Sequence, residues 1–155
     1  MPNLPVQPDP REMLRAVGLR VTGQRITVLD ALLAHPHSSA EVIARYTRGV
    51  LGTVSTQAVY DVLRACTDAG LVRRIEPAGS PAVFETRAND NHHHLVCRSC
   101  GVIADVDCSA GAAPCLTPMD DNGFLVDEAE VVYWGLCSTC QKNSASTLTA
   151  MEASA

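Results

Sequence analysis

Glu85-Thr-Arg-Ala-Asn-Asp-Asn-His92-His93-His94-Leu-Val-Cys97-Arg-Ser-Cys100-Gly-Val-Ile-Ala-Asp105 holds three consecutive histidines, a Cys-x-x-Cys knuckle and a carboxylate at either end. Read as a strand, His92–Cys97 alternates its side chains, so His92 and His94 share one face and His93 takes the other. One strand thus offers imidazoles to one metal and, from its end, thiolates to another. The second thiolate pair stands far downstream, in Cys137-Ser-Thr-Cys140. Cys97 and Cys100 with Cys137 and Cys140 make a tetrahedral four-thiolate site, which suits zinc and is structural because no coordination position stays open. The gap between the pairs exceeds that of a short zinc ribbon, so this metal would pin the end of a small domain. The imidazole and carboxylate set is a separate, harder site.

At 155 residues the chain has room for one medium domain or two small ones. Hydrophobic residues make up 46% and aromatic ones only 4%, which describes an aliphatic core. No run reaches the length of a membrane span, and the N-terminus lacks a basic segment followed by an apolar one, so a cytoplasmic protein is expected. Two disulfides are the alternative use of the paired cysteines. An odd total of seven, and a reducing compartment, favour metal.

The net charge of −5 argues against nucleic acid until its distribution is read. Residues 1–85 carry nine arginines against eight acids, a balance of +1, while residues 86–155 carry three basic residues against nine acids, a balance of −6. The first half can approach phosphate; the second would not.

Residues 1–10 contain four prolines and read as a disordered lead-in. A short helix from Arg11 to Val17 ends at Gly18. Thr22 caps an amphipathic helix with Ile26, Leu29 and Leu33 on one face, ending before His35-Pro36. A third helix starts at Ser38 or Ser39, with Ser38-Ser-Ala-Glu41 reading as a capping box. Ser55 caps a fourth, with Val59, Val62, Leu63 and Cys66 inward and Gly70 as terminator. Leu71–Ile75 and Ala82–Glu85 then read as strands about a Pro77-Ala-Gly-Ser-Pro81 turn. Helices followed by a hairpin is the order of a winged helix-turn-helix, whose last helix enters the major groove. Ser55, Thr56, Gln57, Tyr60 and Arg64 would then face DNA, Gln57 being able to read adenine bidentately. A plain packing face is the alternative.

The second half predicts strands at His92–Cys97, Val102–Val106 and Val131–Gly135, with an irregular stretch over Ser109–Asp127. The fold class is therefore α+β: a winged helix over 11–86, a hinge at 87–91, a dimerisation and metal-binding domain over 92–141, and a frayed tail from Lys142.

Gln57-Ala-Val-Tyr60-Asp-Val-Leu-Arg-Ala, Ala69-Gly-Leu-Val, Phe84-Glu85, His92-His-His94-Leu-Val-Cys97-x-x-Cys100-Gly and Cys137-x-x-Cys140 together resemble the ferric uptake regulator (Fur) superfamily over roughly residues 11–141. The run Asp90–Cys108, with Ala113-Pro-Cys115-Leu, is most similar to the FurA/CatR branch, whose members repress their own gene and a neighbouring catalase-peroxidase gene. The resemblance implies a homodimeric repressor that binds an A/T-rich palindromic operator. It implies structural Zn(II) at the four paired cysteines and regulatory Fe(II) or Mn(II) at His37, Glu85, His92, His94 and Asp105, straddling the hinge. Tyr60 matches the recognition-helix tyrosine and Arg15 a basic residue that reaches toward the minor groove; Arg20 joins it among the implied DNA contacts. Ala129 and Asn91 stand where a further metal site of some members has histidines, although His93 remains, and Asp61 stands where many members carry arginine.

Peroxide acting at iron would oxidise a ligand such as His37 or His92. Cys66 reads as core. Cys108 and Cys115 read as idle or packing residues rather than a thiol switch, because neither has an obvious basic neighbour to lower its pKa. A zinc-uptake or general iron-uptake repressor, a metalloenzyme and a zinc-stapled adaptor are the competing readings.

Overall fold

Each helix of the N-terminal half starts on a side-chain oxygen that accepts an otherwise unsatisfied backbone N–H. In the computed structural model, which describes residues 8–88, 90–108 and 116–143, Asp9 caps α1 (Pro10–Ala16) by accepting from Arg11 N at 2.8 Å. Thr22 caps α2 (Gly23–Ala34), Ser39 caps α3 (Ala40–Leu51) and Ser55 caps α4 (Thr56–Asp68). After α4, Gly70 turns left-handed at φ 71°, and Leu71 N reaches back to Cys66 O at 2.9 Å. Three short strands complete this half: β1 (Ser38–Ser39), β2 (Arg73–Ile75) and β3 (Val83–Glu85), antiparallel in the order β1-β3-β2. Leu14, Leu29, Leu32, Ile43, Leu63 and Phe84 lie in one buried cluster among the helices and the strands. This is the winged helix-turn-helix order, with β2 and β3 as the wing.

The chain divides into two compact units, Met1–Asp90 and Asn91–Ala155. In the second, β4 (His92–Cys97) is the central strand of a sheet in the order β5-β4-β6. It pairs antiparallel with β5 (Ile103–Asp107) and parallel with β6 (Val132–Gly135). Residues 138–143 are helical. Among the described residues, 17 of the 19 buried hydrophobic side chains lie in the first unit and only Val96 and Cys97 in the second, so the described part of the second has little aliphatic core to hold it.

Several boundaries differ from expectation. Pro10 is already helical, so the first domain begins before Arg11; residues 1–7 lie outside the described set. In α2 the buried positions are Thr27, Val28, Leu29, Ala31 and Leu32, while Ile26 and Leu33 are half-buried. The expected stripe was too narrow, because this helix is packed over more than one face. The Ser38 capping box does not form: Ser39 accepts from Val42 N, and Ser38 Oγ instead donates to His35 O at 2.8 Å. β5 starts one residue later and runs one residue further than Val102–Val106, which brings Asp107 into the sheet. Lys142 continues the last helical segment; 144–155 and 109–115 lie outside the described residues. No helix among the described residues is long and apolar enough to cross a membrane.

Candidate metal centres and nucleic-acid face

Beyond β4 the chain turns back within four residues. Gly101 N donates to Cys97 O and Cys97 N to Val102 O, both at 2.9 Å, with Gly101 at φ 74°. Such a knuckle puts the side chains of Cys97 and Cys100 on one side. The second pair is held to it by backbone: Arg98 N donates to Gly135 O at 2.8 Å, and Cys137 N donates to Cys97 Sγ at 3.3 Å. The four Sγ atoms of Cys97, Cys100, Cys137 and Cys140 lie within 4.8 Å of one another, and the Cys100 and Cys137 sulfurs are 3.7 Å apart. A tetrahedron built on zinc–sulfur bonds of about 2.3 Å has edges of about 3.8 Å. The cluster fits a four-thiolate ion, and its cysteines are free of disulfides.

Its electrostatics also fit a cation. The backbone N–H groups of Cys137 and Cys100 hold the Cys97 thiol down at about 6. Cys140 is pushed up to about 11; the Ser99 side chain pulls it down, but the neighbouring thiols of Cys137, Cys100 and Cys97, with burial, outweigh that pull. Four sulfurs this close resist ionising together unless a positive charge sits among them.

The imidazoles and carboxylates form two groups, one in each unit. In the first, His37 follows α2 with φ 58°. That left-handed conformation costs a residue with a Cβ on the order of 1–2 kcal/mol. Its Nε2 lies 3.0 Å from Oε2 of Glu85, the last residue of β3, which is 1% exposed. A carboxylate so buried needs a partner of opposite charge or a strong hydrogen-bond donor. In the second unit, alternation along β4 puts His92 and His94 on one face, their Nε2 atoms 3.2 Å apart, each 3.8 Å from Asp105 Oδ1. His93 turns the other way, its ring edge-on to Tyr133. Ligands at about 2.1 Å from a common ion are about 3.0 Å apart at a right angle and about 3.4 Å at the tetrahedral angle. Both the His37–Glu85 and His92–His94 separations match adjacent coordination positions.

A family model described as "Ferric uptake regulator family" matches residues 16–132. This chain belongs to the ferric uptake regulator family. Transcriptional regulator FurA of Mycobacterium tuberculosis H37Rv is 63% identical over 133 residues, covering 86% of this chain and 90% of that protein. Among solved structures, the Vibrio cholerae ferric uptake regulator superposes with a TM-score of 0.61 at 26% identity, covering 82% of this chain and 98% of that one. The Pseudomonas aeruginosa ferric uptake regulator with manganese gives 0.60 at 27% identity, covering 83% and 98%. The curated relative is named as a regulator of transcription, and the chain is a Fur-family regulator rather than an enzyme.

In the first unit of this Fur-family chain, every residue expected to face nucleic acid is exposed: Arg15, Arg20, Ser55, Thr56, Gln57, Tyr60 and Arg64. Ser55 spends its Oγ on the α4 cap, accepting from Ala58 N. Asp61 organises the rest, because its Oδ1 accepts from Gln57 Nε2 at 3.0 Å and from Arg64 Nη2 at 2.7 Å. The sequence reading noted Asp61 as a departure but not this clamp; i,i+4 and i,i+3 spacing in a helix would have shown it. It also missed Arg48, which donates to Thr56 Oγ1 at 3.4 Å and steadies the start of α4. Cys66 lies in the helical core, where burial pushes its thiol up. Cys108 is half-buried just after β5, and Cys115 falls outside the described residues.

Proposed function

We propose that this Fur-family regulator is a homodimeric repressor whose hold on DNA depends on a divalent cation. The observation that carries the reading is the donor set: His37 with Glu85, and His92 with His94, are each spaced as neighbours around one ion, and Asp105 Oδ1 lies 3.8 Å from both imidazoles of the second pair. All five residues serve one regulatory ion, and mixed nitrogen and oxygen donors suit Fe(II) or Mn(II). Because ligands come from both units, the ion favours one angle between them. A dimer in that state presents its two α4 helices at the spacing of a two-fold operator. Cys97, Cys100, Cys137 and Cys140 hold a separate structural Zn(II), with no position open for chemistry.

The dimer forms through the second unit. Leu95 on β4 stands opposite Tyr133 on β6, and both are nearly half exposed, as are Val102 and Leu136 nearby. A continuous apolar face of this kind on a regulatory domain is suited to a second copy. The winged helix, with its surplus of arginine, faces an A/T-rich palindromic operator, and the cytoplasm is where the protein works.

The strained backbone at His37 bears on regulation. A costly conformation persists where the side chain is needed, and His37 has the buried Glu85 beside it. Ferrous iron, when bound, supplies reactivity toward peroxide. Inserting one peroxide oxygen into an imidazole C–H of His37 or His92, with the other leaving as water, removes a ligand and releases the operator. The catalase-peroxidase gene and the regulator's own gene are the corresponding targets of the FurA/CatR branch.

The test is operator binding by zinc-loaded protein whose regulatory site is empty, titrated anaerobically with Fe(II), Mn(II) and Zn(II) and then treated with peroxide. Binding that requires Fe(II) or Mn(II), and that peroxide abolishes only with iron, is expected. Operator binding without added metal would overturn the reading, and selectivity for submicromolar zinc would reassign the protein to zinc uptake.

A further inference from the structure

In β5 the residue two places beyond Asp105 is Asp107, and the register of the sheet gives the two aspartates different partners. Asp105 stands opposite His94, and Asp107 stands directly opposite His92. All four side chains lie on one face, because each strand alternates with period two. Asp107 sits at the exposed rim while His92 is 2% exposed.

His92 can offer Nε2 to a cation only as the neutral tautomer that carries its proton on Nδ1. That N–H needs an acceptor, and at a ring so buried water is a poor candidate. The Nε2 atom faces His94 Nε2 at 3.2 Å and Asp105 Oδ1 at 3.8 Å, so Asp105 belongs to the metal side of the ring. Directly opposed residues on neighbouring strands have Cβ atoms about 5 Å apart, which puts a carboxylate of Asp107 within reach of the ring nitrogen nearer the backbone.

We propose that Asp107 is a positioning residue for the regulatory metal: its carboxylate accepts the Nδ1–H of His92, fixing the tautomer and aiming Nε2 at the ion. Carboxylates behind metal-binding histidines act in this way, raising ligand basicity as well as holding the ring. Asp105 is thus a ligand and Asp107 the support of His92, two residues apart on one strand. The inference rests on the proposed regulatory site and goes beyond its five ligands.

The experiment measures Mn(II) affinity by electron paramagnetic resonance on full-length, zinc-loaded protein: wild type, Asp107→Ala, Asp107→Asn, His92→Ala and His92→Ala with Asp107→Ala. Zinc content and Trp134 emission report whether each variant stays folded. Asp107→Ala is expected to weaken Mn(II) binding by about 10- to 100-fold. Asp107→Asn, whose amide oxygen still accepts, recovers most of that loss. The double variant binds as His92→Ala does, to within about twofold, because two residues acting through one contact do not add. Losses that multiply in the double variant, equal losses in Asn and Ala, or an Asp107→Ala affinity unchanged to within about twofold would each overturn the assignment. If His92→Ala itself leaves Mn(II) binding intact, the regulatory-site reading fails first and takes this one with it.

Discussion

Removing one ligand of the four-cysteine cluster, by Cys97→Ser, should unfold the second unit and spare the first. Among the described residues the second unit buries only Val96 and Cys97 as hydrophobic side chains. At about 1.5–3 kcal/mol for a large aliphatic side chain, and less for cysteine, they supply under about 6 kcal/mol. Ordering even the 15 residues of β4, β5 and β6 costs about 1–2 kcal/mol each in backbone entropy, which exceeds that several-fold before hydrogen bonds are counted. A structural zinc contributes an apparent 10–16 kcal/mol at neutral pH, on the order of the shortfall. The assay is built into the chain: its single Trp, Trp134, lies in β6 with the Arg98 guanidinium 5.2 Å from its ring. In Cys97→Ser, or in wild type stripped by a chelator under reducing conditions, Trp134 emission should shift to that of a solvated indole. Far-UV circular dichroism should keep the helical signal of α1 to α4. A native Trp134 spectrum in zinc-free protein would refute the reasoning, because it would mean the sheet holds itself.

Zinc affinity should fall with acid, since each of the four thiols must lose a proton to bind; the log-affinity should drop by up to about four units per pH unit. A zinc competition titration between pH 5 and 8 checks this, and an affinity independent of pH would contradict binding by four thiolates. Asp61→Ala frees Gln57 and Arg64 and removes an acid from the face of α4 proposed to meet DNA. Operator affinity should rise several-fold, with a salt dependence steeper by about one charge, while stability changes by less than about 1 kcal/mol. Fluorescence anisotropy across a salt series reads both. Leu32→Ala, in the last turn of α2 and fully buried, should cost about 2–5 kcal/mol in the first unit. Denaturant unfolding should register it in the helical signal and leave the Trp134 transition in place.

Local chemistry was legible from the residues alone. Thr22, Ser55 and Gly70 act where the sequence reading put them, because a cap or a left-handed terminator is decided by a few adjacent residues. The histidine triplet alternates as a strand must, and the Cys-x-x-Cys spacing announces a knuckle because only a tight turn brings those two sulfurs together. The reach of such signals is one turn or one strand. Which serine caps α3 depended on the pairing of Ser38 with Phe84, a contact 46 residues away in sequence. The width of the buried face of α2 depended on neighbours that its own periodicity does not record. The register of β5 decided that Asp107 faces His92, since sliding an antiparallel strand by one residue exchanges its two faces. The left-handed turn at His37 and the burial of Glu85 beside it also exist only once β3 lies next to the end of α2. Sequence therefore determined which donors and caps were present, while tertiary pairing decided which of them meet, because coordination geometry is set by distances that close only across the chain.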